Sequence, residues 1–507
     1  MSSLLNSRSK LKIASWNIAA INNNPFEYWL TLPSHPEYNQ IMIDVENFIL
    51  NPGDKDVKVS EVFTEKMFTE LETKMNDVGW EGVSTVRKYW ETDYSHRPII
   101  TGFLQDRTLG SKRLASMPDR ITNTLNVNSG ISCRPTVINM FEGDLGSLDN
   151  WWKEWREFMF EEEKVLSGKT VGQKVYEMLS PIKKSKYPAI TEEEEAVSLP
   201  LQTLCCAVFD GVLVHMMNVV SSASVWQPMK SEIVTALNKQ KTQKTLDIIK
   251  NSYATADIIC LQEVSAAFIG HANEVPEISN AFNIITPHDM DGKRDQNSVI
   301  LLRKSSFPSG CSSEITSLVE SSFPEGSKVP VAKGDILALK CTAVTGQEYV
   351  VASFHGDTNG LATIPVLKAL NEVMKTQPSS TRLIFGLDAN VYEKGDSKKQ
   401  DCMEFGTSYA SMGYTSNWGD EPDPKMYTTY NARTYLQTQL NKACKSNEKR
   451  ECGDVNPKDH ILFDKGVWKV GGGGRDNLVG GGYVDEPFPT LDWPSDHGAI
   501  WCDIEEV

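Results

Sequence analysis

Apolar and polar positions fall into three textures along the chain: short strand-like runs at its start, helical spacing through its first half, and strand-like runs again to its end. Leu11, Ile13 and Ser15 alternate with Lys12, Ala14 and Trp16, which predicts a strand ending on Asn17. From about Asn22 the pattern changes, and Ile41–Leu50 and Val62–Leu71 repeat apolar residues at helical spacing. Trp151, Trp155 and Phe158 share one face of a further predicted helix, with Trp152 and Met159 beside it, a stripe of the kind that builds a core. Glu192–Glu195 reads as a solvated acidic turn or helix start. No internal repeat is visible, and the segment from about 25 to 240 carries no recognisable catalytic constellation.

Strand spacing returns after a predicted helix over Thr245–Tyr253. Ile258-Ile-Cys-Leu-Gln-Glu263 has four apolar residues in a row, as in a strand covered on both faces, and ends on a carboxylate. Asp289, Asp291 and Asp295 superficially resemble a calcium loop, but the glycine position and the missing terminal Glu break that pattern, so an Asp291-Gly292 turn is expected before the strand Asn297–Arg303. Ile336–Cys341 and Tyr349–Phe354 read as a hairpin across Thr345-Gly346, and the second strand runs into His355. A helix with Pro365 near its start and Val366, Leu370, Val373 and Met374 on one face follows. Leu383–Asn390 and Lys458–Phe463 predict two more strands, and the glycine-rich stretch Gly471–Gly482 predicts a flexible, gate-like loop leading to Asp496-His497.

The chemistry-bearing residues sit where these strands end. Asn17 can hold a metal-bound water or a phosphate oxygen, or cap the turn that follows. Glu263 at the end of a buried strand is costly unless it is paired or binds a cation. Asp388 and Asn390, at i and i+2, fall on one side of an extended backbone and can reach one phosphate or one water, or else form an Asp-x-Asn turn. Asp496 beside His497 offers a metal ligand next to a proton-handling group. Tyr427–Arg433 is expected near the same place.

Composition narrows the setting. The 507 residues suffice for two or three domains, or for one domain with a large insertion. A net charge of −16 argues against a general basic surface for long nucleic acid, leaves room for a local basic groove, and suits a divalent-metal site. Ten scattered cysteines without a C-x-x-C spacing suggest free thiols in a reducing compartment. No apolar signal-peptide core and no membrane span is read, so the expectation is a cytoplasmic protein without integral membrane association, the nucleus remaining open.

Ser15-Trp-Asn17, Leu261-Gln-Glu263, the His355 strand end, Gly386-Leu-Asp-Ala-Asn390, Asp459-His-Ile-Leu462 and Ser495-Asp-His497 follow one another in the order found in the endonuclease/exonuclease/phosphatase superfamily, the deoxyribonuclease I-like proteins, which this chain resembles. The resemblance covers residues 10–24 and about 241–507. It implies an α/β fold, a four-layer α-β-β-α sandwich of two mixed sheets, formed by 1–24 and 241–507, with 25–240 as a large, mainly helical insertion. It also implies a divalent-metal-dependent phosphoester hydrolase using Mg²⁺, or Mn²⁺ in its place. Glu263, Asn17 and Asp496 would form the metal shell and Asp388 would orient or deprotonate the attacking water. Asn390 would bind phosphate, and His497, held by Asp459, would stabilise phosphoryl charge with His355 as a second donor. The substrate class stays wide: a nucleotide, RNA, lipid headgroup or small phosphorylated metabolite, with 25–240 as a surface for a protein partner. Trp493-Pro-Ser-Asp-His497 departs from the ending typical of inositol 5-phosphatases. The rival expectation is a catalytically silent member that serves as a binding scaffold through its insertion.

Overall fold

The computed structural model describes residues 10–20, 22–114, 121–290, 294–323, 328–437 and 453–507. It contains two compact units, one of Met1–Ile21, Lys239–Ala432 and Cys452–Val507, the other of Asn22–Asn238 and Arg433–Glu451.

In the first unit, alternation along the strands sorts side chains into layers. The strands of its two six-stranded sheets, in chain order, are β1 (Lys10–Asn17), β2 (Ile258–Val264), β3 (Phe282–Ile285), β4 (Asn297–Arg303), β5 (Ser312–Glu314), β6 (Ile336–Thr342), β7 (Glu348–His355), β8 (Arg382–Asp388), β9 (Tyr414–Ser416), β10 (Asp459–Asp464), β11 (Trp468–Asp476) and β12 (Ala499–Glu506). One sheet has the order β11-β12-β1-β2-β4-β3 and the other β9-β10-β8-β7-β6-β5. Each has a single parallel pair at its centre, β1 with β2 and β7 with β8, and antiparallel neighbours elsewhere.

Leu11 and Ile13 of β1, Ile258 and Cys260 of β2, Val351 of β7, Ile384 of β8 and Ile461 of β10 form the core between the sheets. The alternate positions Ala14 and Trp16 face the other way, onto Leu246 and Ile249 of the helix Lys241–Ser252. On the second sheet, Val350, Leu383 and Phe385 pack under Val366, Leu370 and Val373 of the helix Thr363–Lys375. The result is helix, sheet, sheet, helix, and a slip of one residue in any strand would exchange its two apolar sets.

Near the site the sheets approach closely. A Cβ on Gly386 would lie 2.6 Å from Cys260 Cβ and 2.9 Å from Ser15 Oγ. Gln262 Nε2 bridges the same region, donating to Ser15 Oγ at 3.2 Å and to Ser353 Oγ at 3.0 Å.

The second unit is mainly helical. Residues Val62–Leu71 do not form one helix: Val59–Val62 ends at Phe63, and Thr64 caps a new helix, Glu65–Asp77, by accepting from Met67 N at 3.3 Å. Trp151, Trp155 and Phe158 are buried, as a core stripe should be. The acidic run starts the helix Glu192–Ala196, capped by Thr191. The helix Ser198–Val220 is long and apolar enough to cross a membrane, which the expectation of no span overlooked. Its window is 78% buried within the protein, and Asp210 at its middle pairs with Arg134 at 2.7 Å while accepting from Trp155 Nε1 at 2.9 Å.

Two further expectations change. The glycine-rich stretch is not a loop throughout: Gly471–Gly474 belong to β11, because their backbone groups complete a ladder with β12 whatever their weak strand propensity. The Asp291-Gly292 turn lies outside the described residues.

Candidate active site

Strand direction gathers the candidate residues on one rim. The parallel pairs end together, so β1 delivers Asn17, β2 Glu263, β7 His355 and β8 Asp388, while the antiparallel β10 begins there with Asp459. His355, Asp388 and Asp459 are cross-strand partners on three adjacent strands. Asp496 and His497 arrive on the segment before β12, where Ser495 Oγ donates to Asn17 O at 2.7 Å and accepts from His497 N at 3.0 Å. The indole N–H groups of Trp16 and Trp493 both donate to His497 O, at 3.0 and 2.9 Å.

Two of these residues depart from ordinary backbone geometry. Glu263 has φ +56° at an irregularity in the β2–β4 ladder, and Asn390 has φ +48°. Left-handed backbone at non-glycine residues costs on the order of 1–2 kcal/mol and persists only where the surroundings impose it. At Glu263 the carboxylate is held by three groups: Oε2 accepts from Ala20 N at 2.8 Å, Oε1 accepts from Asn17 Nδ2 at 3.1 Å and lies 3.3 Å from His355 Nε2. Burial pushes Glu263 upward, but His355, Ala20 N–H and Asn17 outweigh it and bring its pKa to about 2.

Asp388 is the hub. Its Oδ2 accepts from Asn17 Nδ2 at 2.9 Å and lies 3.6 Å from both His355 Nε2 and His497 Nε2. β8 ends at Asp388, and Asn390 N donates back to Asp388 Oδ1 at 2.9 Å. Asp388 and Asn390 are therefore brought together by an Asp-x-Asn turn rather than by the pleat of one extended strand. The Asn390 amide also donates to Gly356 O at 2.9 Å, which ties it to the end of β7.

His497 Nδ1 lies 2.9 Å from Asp459 Oδ2, and both side chains are buried. Burial opposes charge on the imidazole, but Asp459, Asp388 and Asp496 outweigh it and lift His497 above the ordinary histidine range. Thr428 Oγ1 accepts from Asp459 N at 3.0 Å, and Thr429 bridges to His497, which places the 427–432 segment beside the site.

Two lysines escaped the sequence reading. Lys241 Nζ donates to Ala20 O at 3.3 Å; burial lowers it to about 8 against the pull of Asp496 and Glu263. Lys458 pairs with Asp454 at 2.6 Å and is raised well above the lysine range, since Asp454 and Asp388 outweigh its burial. Neither stands in a pattern that marks it, because each is buried by segments remote in sequence.

The donor set fits a hard divalent cation. Ligand atoms of Asp388, Asp459 and His497 lie within 4.8 Å of one another, and His355 Nε2 links Glu263 Oε1, at 3.3 Å, to Asp388 Oδ2, at 3.6 Å. Asn17 here turns its amide nitrogen to Glu263 and Asp388, while its oxygen accepts from Ala19 N at 2.9 Å.

A family model described as domain of unknown function (DUF8234) matches residues 56–231, and no curated protein matches the sequence. Among solved structures the chain is similar to TDP2 of D. rerio complexed with single strand DNA product (16% identity, TM-score 0.34, 54% of this chain and 95% of that one). It is also similar to the human nocturnin catalytic domain with bound sulfate (17%, 0.35, 54% and 89%) and to an endonuclease/exonuclease/phosphatase family protein from Bacteroides thetaiotaomicron (15%, 0.33, 52% and 87%). The first unit is a four-layer α/β sandwich, two mixed sheets between helices.

Proposed function

We propose that the first unit is a divalent-metal-dependent phosphoester hydrolase that directs a water in line onto phosphorus. The observation that carries this reading is the buried His497–Asp459 pair at 2.9 Å, with Asp388 at 3.6 Å from the far nitrogen of the same imidazole. A phosphoryl group between Asp388 and His497 would meet a carboxylate able to orient water and an imidazolium able to donate to a phosphoryl oxygen.

Each residue has a part that its contacts support. Asp388, fixed by Asn17 and the Asn390 backbone, would hold the attacking water. Asp459 keeps the His497 ring oriented and charged, so Nε2–H faces the reacting oxygens without reorganising. His355 would supply a second donor, and Asn390 would position the phosphate. Glu263 and Asp496, with Asn17, would hold Mg²⁺ or Mn²⁺, which when bound neutralises charge developing on the phosphoryl oxygens. Lys241 adds positive charge on the same side.

The purified protein should release nitrophenol from bis-p-nitrophenyl phosphate or p-nitrophenyl phosphate with Mg²⁺ and lose that activity to a chelator. Asp388→Ala and His497→Ala should each lower the rate by about 10²–10³ or more. Full activity in both variants defeats the proposal. Folded, metal-binding protein that turns over neither ester would instead favour the scaffold reading. Which phosphoester is used in the cell, and whether it is a nucleotide, RNA, lipid headgroup or small metabolite, is to be read from a panel of those substrates.

A further inference from the structure

On the helix-facing side of β1, β12 and β11 lies a cavity of about 570 Å³. Lys12, Ala14, Trp501 and Asp503 line it from the sheet. In the ladder Trp501 pairs with Ala14 on one side and with Gly474 on the other, so its strand neighbours are small. Asp503 likewise lies between Lys12 and Gly472. A Cβ at Gly474 would come within 3.3 Å of the indole, whereas one at Gly472 would reach only its far edge, at 3.9 Å.

The walls are built rather than frayed. Gly480, Gly481 and Gly482 turn the chain with φ of 89°, 96° and 101°, values that suit only glycine. Asp476 anchors that turn by accepting from Gly482 N at 2.7 Å, and its other oxygen accepts from Tyr253 OH at 2.6 Å. Ser252, opposite the turn, has a buried hydroxyl with no hydrogen-bond partner. The cavity is separate from the catalytic rim: Lys12 precedes Asn17 by roughly 17 Å of strand, and Ala14 faces the helices while Asn17 stands at the strand end above the inter-sheet core.

We propose that this cavity binds an uncharged ring bearing hydroxyl groups, a sugar or a nucleoside, stacked on Trp501. An indole offers a face to such a ring. Lys12 and Asp503 supply a donor and an acceptor at the rim. One lysine against Asp476 and Asp503 leaves the lining net negative, which disfavours a phosphate on the ligand. The volume lies in the range of small-molecule sites. This reading is independent of the hydrolase reading.

Saturation-transfer NMR on the full chain tests it, using adenosine and methyl α-D-glucopyranoside as separate neutral probes and adenosine 5′-monophosphate as the charged comparison. Gly472→Leu sets a side chain against the edge of the Trp501 indole from a strand position whose backbone suits any residue, and Trp501→Ala removes the stacking face. The wild type should transfer saturation to the ring protons of at least one neutral probe, and both variants should bind it about tenfold more weakly or worse. A signal from adenosine alone assigns the site to nucleosides, and one from the glucoside alone assigns it to sugars. No transfer to either neutral probe at millimolar concentration, undiminished binding by Gly472→Leu, or Gly472→Leu-sensitive binding of the monophosphate as tight as that of adenosine overturns the proposal. Phosphoesterase activity unchanged in Gly472→Leu keeps this outcome distinct from that of the hydrolase assay.

Discussion

Gly386→Ala is the smallest change expected to disturb both the stability and the chemistry of the first unit. The added methyl would sit 2.6 Å from Cys260 Cβ and 2.8 Å from Cys260 Sγ, against ordinary carbon contacts of about 3.5–4.0 Å. The sheets must therefore part by about 1 Å, directly beneath the Gln262 bridge between Ser15 and Ser353. Overpacking of this kind costs about 1–3 kcal/mol, and for a unit of this size that lowers Tm by roughly 2–12 °C. The same parting separates β1 and β2, which carry Asn17 and Glu263, from β7 and β8, which carry His355 and Asp388. A misplacement of about 1 Å can cost on the order of 10²-fold in rate. The double variant Gly386→Ala/Cys260→Gly removes the two Cys260 atoms that clash, leaving Ser15 Oγ at 2.9 Å, and should recover part of both losses. Calorimetric melting and nitrophenyl ester turnover across the four proteins of the cycle measure this. A single variant that melts and turns over like the wild type, or a double variant no better than the single, refutes the reasoning.

Asp210→Ala in the second unit strips a fully buried guanidinium, Arg134, of its carboxylate and Trp155 of its acceptor, and should cost about 3–5 kcal/mol by denaturant titration; a loss under about 1 kcal/mol contradicts the pairing. Lys230, whose ammonium donates to Thr136 O at 3.0 Å and Phe141 O at 2.7 Å, is lowered by burial to about 7. The unfolded chain then binds one more proton than the folded one between pH 7 and the ordinary lysine range, so this group's contribution to stability rises with pH there, by up to about 1.4 kcal/mol per unit. The stability advantage of Lys230→Met over wild type should shrink correspondingly as pH rises from 7 to 10, and a constant difference would show that the lysine titrates normally. Glu263→Gln should weaken Mn²⁺ binding, read by electron paramagnetic resonance, and should also lower the melting temperature of the metal-free protein, since the charged carboxylate is held by Ala20 N–H, Asn17 and His355; unchanged affinity removes Glu263 from the metal shell.

The strand ends were legible because each joins an apolar run to a polar residue that such a run would not bury without cause. Ile258–Glu263 shows this most clearly: a two-sided core strand closing on a carboxylate. Asp388 and Asn390 were legible as a pair, but for a reason the structure revises, since a turn and a left-handed Asn390 join them. Lys241 and Lys458 were not legible, because nothing local distinguishes a lysine on a helix or before a strand from a solvated one; burial by remote segments does. The glycines of β11 hid a strand, since the evidence for it lies in their partner, β12, where Trp501 occupies the space their missing side chains leave. Thr64 was a helix cap in plain view, overlooked because the apolar spacing ran through it.

The central claim is that water attacks phosphorus at the Asp388–His497 pair. Hydrolysis of bis-p-nitrophenyl phosphate by the Mg²⁺-loaded protein in ¹⁸O-labelled water, followed by mass spectrometry of both products, tests it most directly. The label should appear in p-nitrophenyl phosphate and not in p-nitrophenol, and both products should vanish with Asp388→Ala or His497→Ala. Label in the phenol, or labelled phosphate formed undiminished by either variant, would contradict it.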